Sequence, residues 1–226
     1  MRKTITVVAA ALSLIVSIPA GAQQTPAATP LPLTRQLSKA FGNDHEVVQN
    51  TAFIQAALNH KLTKDQLLAH LQQRALVHQA VDQVLGMVQP PLTAYGDDQK
   101  NVITLLRQDL TALGSTWPTN TSAWPLTRDF IRTIQDSAKT GPYYALGVFH
   151  VYYGGITHGG RDIAAEIDKT LNTDLSYYLK SDGYSAYAKH VNEILAPDAQ
   201  KEMIRGGVAA YQYIIAVNDV DQFKSK

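Results

Sequence analysis

The stretch from Gly141 to Asn172, GPYYALGVFHVYYGGITHGGRDIAAEIDKTLN, decides how the chain is read. Its apolar residues follow a helical period, with Ile163, Ile167 and Leu171 on one stripe, yet it carries Gly154, Gly155, Gly159 and Gly160 in the middle. Each interior glycine costs a helix about 0.5–1 kcal/mol relative to alanine, so the four together forgo roughly 2–4 kcal/mol. Something has to need bare backbone there. Gly155 and Gly159 are four apart, so they share one helical face along which a flat or bulky body can approach the main chain.

Working outward, the rest of the chain is also helical in its spacing. Leu37, Phe41, His45, Val48 and Ala52 fall on one face of a first helix, and Val77, Val81, Val84 and Val88 on another. Thr63 with Gln66 is a capping box that opens a second helix, stopped near Val88 by Pro90 and Pro91. Asp97 caps a third helix through Leu113, and Thr127 a fourth through Lys139. The glycine-bearing helix runs from Pro142 to about Leu171, followed by helices at Tyr184 to Leu195 and Asp198 to Val217. Strand-like alternation is scarce. The expected architecture is all-α, a single-domain multi-helix bundle.

The N-terminus predicts export. Arg2 and Lys3, an apolar run from Ile5 to Ile18 and the small residues Ala20-Gly21-Ala22 read as a secretory signal over residues 1–22, which makes the expected location periplasmic or secreted. That run is shorter than the ~20 residues a membrane span needs. Residues 23–32, with three prolines, read as a flexible linker, and the folded domain is expected over 33–226. Removing the signal takes away two positive charges and moves the formal net charge from +1 to −1, which argues against nucleic acid as a partner. The absence of cysteine excludes disulfides, thiolate metal sites and a cysteine nucleophile.

Two readings stand for His45. It is a core histidine satisfied by a hydrogen bond, or it is an axial ligand to haem iron, because imidazole is the usual proximal ligand and an apolar wall suits a porphyrin. In the second case Gln49, one turn on, accepts the other ring N–H. Three readings stand for the glycine tract. Its spacing matches a phosphate loop, but Arg161 and Asp162 replace the required Lys and Ser/Thr and no βαβ pattern surrounds it. Gly155 and Gly159 otherwise mark a close helix crossing, or a kinked helix lying over a flat cofactor with Thr157 or His158 near the reacting face. His158, Asp162 and Glu166 lie at spacing suited to a non-haem metal site, or to an exposed helix face. His70, Arg74 and His78 read as a solvated polar strip, and Tyr143, Tyr144, Tyr152 and Tyr153 as core and pocket lining.

These segments together resemble a known family. Residues 37–85, with His45 early, Phe53 eight residues later and then KLTKDQLLAHLQQRALVHQAVDQVL, resemble the opening helices of haem oxygenases, and HVYYGGITHGGRDIAAEI resembles their distal helix. The resemblance implies haem (iron protoporphyrin) as cofactor and its oxygen-dependent opening to biliverdin, iron and carbon monoxide with an external electron donor. It implies His45 as the axial metal ligand, Gly155 and Gly159 as the porphyrin-facing backbone, and Lys189, with His190 and Lys39, for the propionates. Many members carry an aspartate just after the first distal glycine, where this chain has Ile156. Oxygen management is then expected from Gly155, Thr157 and His158. A haem binder or carrier without turnover and a non-haem di-metal oxidase are the alternatives. Thiamin-degrading relatives of the fold rely on a cysteine nucleophile that this chain lacks.

Overall fold

A computed structural model describes residues 31–87, 93–179 and 184–224. The expected signal and most of the linker lie outside the described residues. Every regular element among those described is a helix. They are α1 (Leu33–Phe41), α2 (Asp44–Gln49), α3 (Ala52–Leu58), α4 (Lys64–Leu85), α5 (Thr93–Ala112), α6 (Pro125–Ser137), α7 (Tyr143–His158), α8 (Gly160–Leu171), α9 (Ser176–Leu179), α10 (Tyr184–Ile194) and α11 (Pro197–Asn218).

The capping box forms as expected. The Gln66 amide N–H donates to Thr63 Oγ1 at 3.2 Å, and the Thr63 N–H donates to Gln66 Oε1 at 2.9 Å. The α5 start is earlier than Asp97. α6 begins with Pro125 at its first turn rather than a Thr127 cap, because Thr127 is buried and its hydroxyl lies 2.9 Å from that of Tyr213. Pro fits a first turn because the N–H it lacks has no partner there in any helix. Val88 and the two prolines after α4 lie outside the described residues.

Two departures from the expected helices shape the molecule. The first helix breaks into α1, α2 and α3. Gly42 adopts φ +50°, a conformation that favours glycine, and Thr51 is extended. The long glycine-bearing helix divides at Gly159 into α7 and α8. The core is built where α7 crosses α11. There a Cβ on Gly147 would overlap the Met203 carbonyl, and one on Gly206 would overlap that of Tyr144. Gly207 meets the Phe41 ring, which an added Cβ would approach to 2.8 Å. Gly147 and Gly206 let two backbones touch, the close-crossing role that was one of the three readings of Gly155 and Gly159.

Candidate functional site

The break in the first helix turns His45 outward. It does not share a buried face with Phe41; it is exposed and lines a cleft together with residues of α7 and α8. The core-histidine reading of His45 is therefore overturned by the turn at Gly42. The cleft holds a cavity of about 490 Å³, within the usual range for a cofactor site, and an adjoining one of about 410 Å³. His45, Val151, Gly155, Gly159 and Tyr211 line both. The larger cavity is walled chiefly by Val48, Ile54, Leu58, Val151, Ile156, Ile163 and Ile214.

The four glycines divide by what their missing side chains would meet. A Cβ on Gly155 finds nothing within 4 Å, and one on Gly159 finds only the Gly155 carbonyl at 3.7 Å. Bare backbone therefore faces open cleft at these two positions. On Gly160 a Cβ would stand 2.7 Å from the Tyr178 carbonyl, and on Gly154 it would stand 3.2 Å from the Tyr184 ring. Those two are packing glycines. The phosphate-loop reading fails, since the tract joins two helices.

The remaining expected site residues are spread out. The His158 Nδ1 lies 3.0 Å from the Gly154 carbonyl and its ring packs edge-on against Tyr184, at the rim of the smaller cavity. Thr157 does not line the cleft; its hydroxyl donates to the Tyr153 carbonyl at 2.8 Å, within its own helix. Lys189 on α10 and Lys39 on α1 are exposed and stand outside both cavity walls. Gln49 lines the larger cavity with His45, and the two make no hydrogen bond. Glu166 engages Lys169 and, at 3.6 Å, His60, while Asp162 faces the cleft. Among the described residues no three His, Asp or Glu side chains gather as a metal site, which removes the ground for a di-metal centre at His158, Asp162 and Glu166.

The strip on α4 is not solvated. His70 and His78 are buried, and Arg74 between them reaches the cavity wall. Arg74 Nε donates to His70 Nε2 at 2.6 Å and its Nη1 to the Tyr177 hydroxyl at 3.2 Å. The Tyr178 hydroxyl lies 2.9 Å from the same His70 nitrogen, and the Tyr177 hydroxyl 3.1 Å from His78 Nε2. Burial, with Arg74 adding to it, holds His70 well below the usual imidazole range and His78 down to about 3, so both rings are neutral at pH 7. Burial opposes the Arg74 charge too, but beside Tyr178, Tyr177 and Tyr152 its pKa stays above the ordinary value and it remains a cation. α9, which supplies Tyr177 and Tyr178, is pinned by Asp109. Its carboxylate accepts the Ser176 and Tyr177 backbone N–H groups at 2.8 and 2.9 Å.

Sequence reasoning missed this network because helical spacing is the same on a wet face and a buried one. The usable signal was that the strip falls inside the apolar arc of α4, flanked by Leu67, Leu71, Ala75, Val77 and Val81, with Asp65 and Gln83 on the wet side. It also missed His150, buried in the wall of the smaller cavity, with Nε2 3.3 Å from the Tyr184 hydroxyl and Nδ1 without a partner among the described residues. Burial, followed by nearby His158, pushes His150 down to about 4.

A family model described as "Heme oxygenase" matches residues 31–217. Comparison with curated proteins gives no match. Among solved structures, the chain is similar to heme oxygenase-1 from the cyanobacterium Synechocystis sp. PCC6803 in complex with heme. The TM-score is 0.74 at 16% identity, over 85% of this chain and 93% of that one. It is similar to heme oxygenase from Leptospira interrogans with a TM-score of 0.71 at 16% identity, over 84% of this chain and 99% of that one. A TenA homologue from P. horikoshii OT3 matches with a TM-score of 0.58 at 12% identity, over 82% of this chain and 96% of that one. At these identities the likenesses establish a shared all-α fold.

Proposed function

The chain belongs to the haem oxygenase family, and on that footing we propose that its cleft binds one haem through His45 and opens the ring oxidatively with electrons from an external donor. One observation carries the reading: the exposed His45 imidazole lines the same cavity as Gly155 and Gly159, the two glycines whose backbone meets only open space. The residues fit the group. An imidazole free of hydrogen bonds to described residues, a largely apolar wall and a side-chain-free helix segment line the same space.

Haem supplies the oxygen chemistry when bound. This chain's part is to ligate the iron through His45, to exclude bulk water with Val151, Ile156 and Ile163, and to bring helical backbone close to the ring at Gly155 and Gly159. Residues 1–22 support an exported protein, so the electron donor belongs to the compartment outside the cytoplasm. The test is a titration of the mature protein with hemin. Wild type is expected to give a histidine-ligated Soret band that His45→Ala weakens; no band in wild type, or an unchanged one in the variant, would overturn the proposal. Adding ascorbate to the loaded protein then reads turnover as biliverdin.

A second reading, a haem carrier without turnover, is favoured by Ile156. Only 2% exposed, it puts an aliphatic side chain in the cleft wall where many family members carry an aspartate. Loaded protein that yields no biliverdin while retaining the Soret band would select it.

A further inference from the structure

The larger cavity is lined by one guanidinium, Arg74, and one carboxylate, Asp162, and the two are not paired. Arg74 lines the wall, yet no carboxylate among the described residues lies within 4 Å of it, and its Nη2 donates to no described residue. Its other nitrogens are held by His70 and Tyr177, so the guanidinium is fixed in place before any ligand arrives. The rings of Tyr152, Tyr177 and Tyr178 surround it, 5.1, 5.9 and 5.7 Å from the guanidinium carbon to each centroid. Aromatic faces soften the loss of water around a cation but leave its hydrogen-bonding fork unanswered. A second donor stands in the same wall: Tyr152 lines the cavity, and its buried hydroxyl has no hydrogen-bond partner among the described residues. Buried polar groups are nearly always partnered, and a buried charge without a counter-charge is costlier still. The neutral state of His70 and His78 leaves Arg74 as the one charge of the network.

We propose that Arg74 and Tyr152 form an anion-receiving subsite in the wall of the larger cavity, built to take a carboxylate. The inference deepens the haem reading and rests on it for one of two sources, a propionate of the bound tetrapyrrole; the other is a free small carboxylate held beside the ligand. Lys189 and Lys39, outside the cleft wall, leave the propionate role open to a residue inside it. A planar guanidinium suits a carboxylate because two parallel N–H groups match its two oxygens.

The mature protein is titrated, by fluorescence, with iron-free protoporphyrin IX and with its dimethyl ester. Neither probe can be ligated by His45, so the measurement is independent of axial ligation. In parallel, thermal unfolding of the ligand-free protein is followed in sodium formate against sodium chloride at matched ionic strength. If the carboxylate comes with the tetrapyrrole, wild type prefers the free acid, Arg74→Met weakens the acid by about tenfold to a hundredfold, and the ester is unchanged. If the anion is free, formate raises the unfolding temperature of wild type and not of Arg74→Met. Neither preference nor formate effect would overturn the subsite. Should wild type bind neither porphyrin, the tetrapyrrole source is dropped, the formate arm still decides the subsite, and the haem reading stands or falls separately on the hemin titration. Because Arg74 also ties α4 to α9, Tyr152→Phe, expected to weaken the acid several-fold, and Arg74→Lys, expected to restore part of the affinity, keep the test decisive if Arg74→Met does not fold.

Discussion

Glycines near the start of α7 and glycines at its end answer opposite needs. Near the start of α7, Gly147 lies against the Met203 carbonyl and Gly207 amide of α11 at a crossing where no side chain fits; two turns later Gly155, and just past the helix end Gly159, face a cleft where a side chain would meet almost nothing. Spacing and composition do not separate the two cases, since both are glycines in an apolar helix. What separates them is what stands opposite: backbone for one set, open space for the other. The first set is a requirement of the fold and the second a requirement of whatever enters the cleft.

The sharpest way to break that contrast is to load both ends. Gly147→Val drives branched carbons into the Met203 carbonyl, and the α7–α11 contact has no flexible side chain there to yield. A loss of about 3 kcal/mol or more, enough to abolish cooperative unfolding, is expected in denaturant melts. Retention of wild-type stability would mean that α7 and α11 are not in backbone contact.

The histidines sharpen the same division between fold and site. His45 is exposed and unattached, whereas His70, His78 and His150 are buried. His45→Ala is expected to leave the stability within about 0.5 kcal/mol of wild type, as exposed substitutions do, while weakening the histidine-ligated Soret band. His150 gives the reverse test. Its folded pKa of about 4 lies below the unfolded value of 6.5, so the unfolded state binds more protons between those limits. The stability from keeping it neutral is fully present above pH 6.5 and is lost as pH falls toward 4, amounting to about 2 kcal/mol by pH 5. His78, pushed down by burial to about 3, extends the same slope to lower pH. His150→Gln should flatten the fall in unfolding temperature between pH 7 and pH 5; an unchanged slope would place its titration elsewhere.

The sequence made the all-helical architecture legible, because the apolar period is helical nearly throughout and the Thr63–Gln66 box marks a helix start unambiguously. It also linked His45 with Gly155 and Gly159, which the fold brings to one cleft. Less legible was the turn at Gly42, where one residue at positive φ redirects His45 from a buried face to the cleft. Helix periodicity carries across such a break as though it were absent. The α4 strip failed for a related reason: i, i+4, i+8 spacing locates a face without saying whether water or α9 covers it. Burial there is decided by Tyr177 and Tyr178, about a hundred residues away, on a four-residue helix too short to leave a periodic signal.

The smallest expected change is also the one that best isolates the cleft glycines. Gly155→Ala adds a Cβ that meets no atom within 4 Å and replaces glycine by the best helix former inside α7. Freed of the glycine penalty, the ligand-free protein should gain about 0.5–1 kcal/mol in denaturant melts. The added methyl occupies space in the cavity that His45 also lines, so hemin affinity should fall by a few-fold at the same time. Opposite signs in the two measurements are what a glycine kept for a ligand requires. A loss of stability would instead return Gly155 to the fold and leave the cleft without its reason for bare backbone.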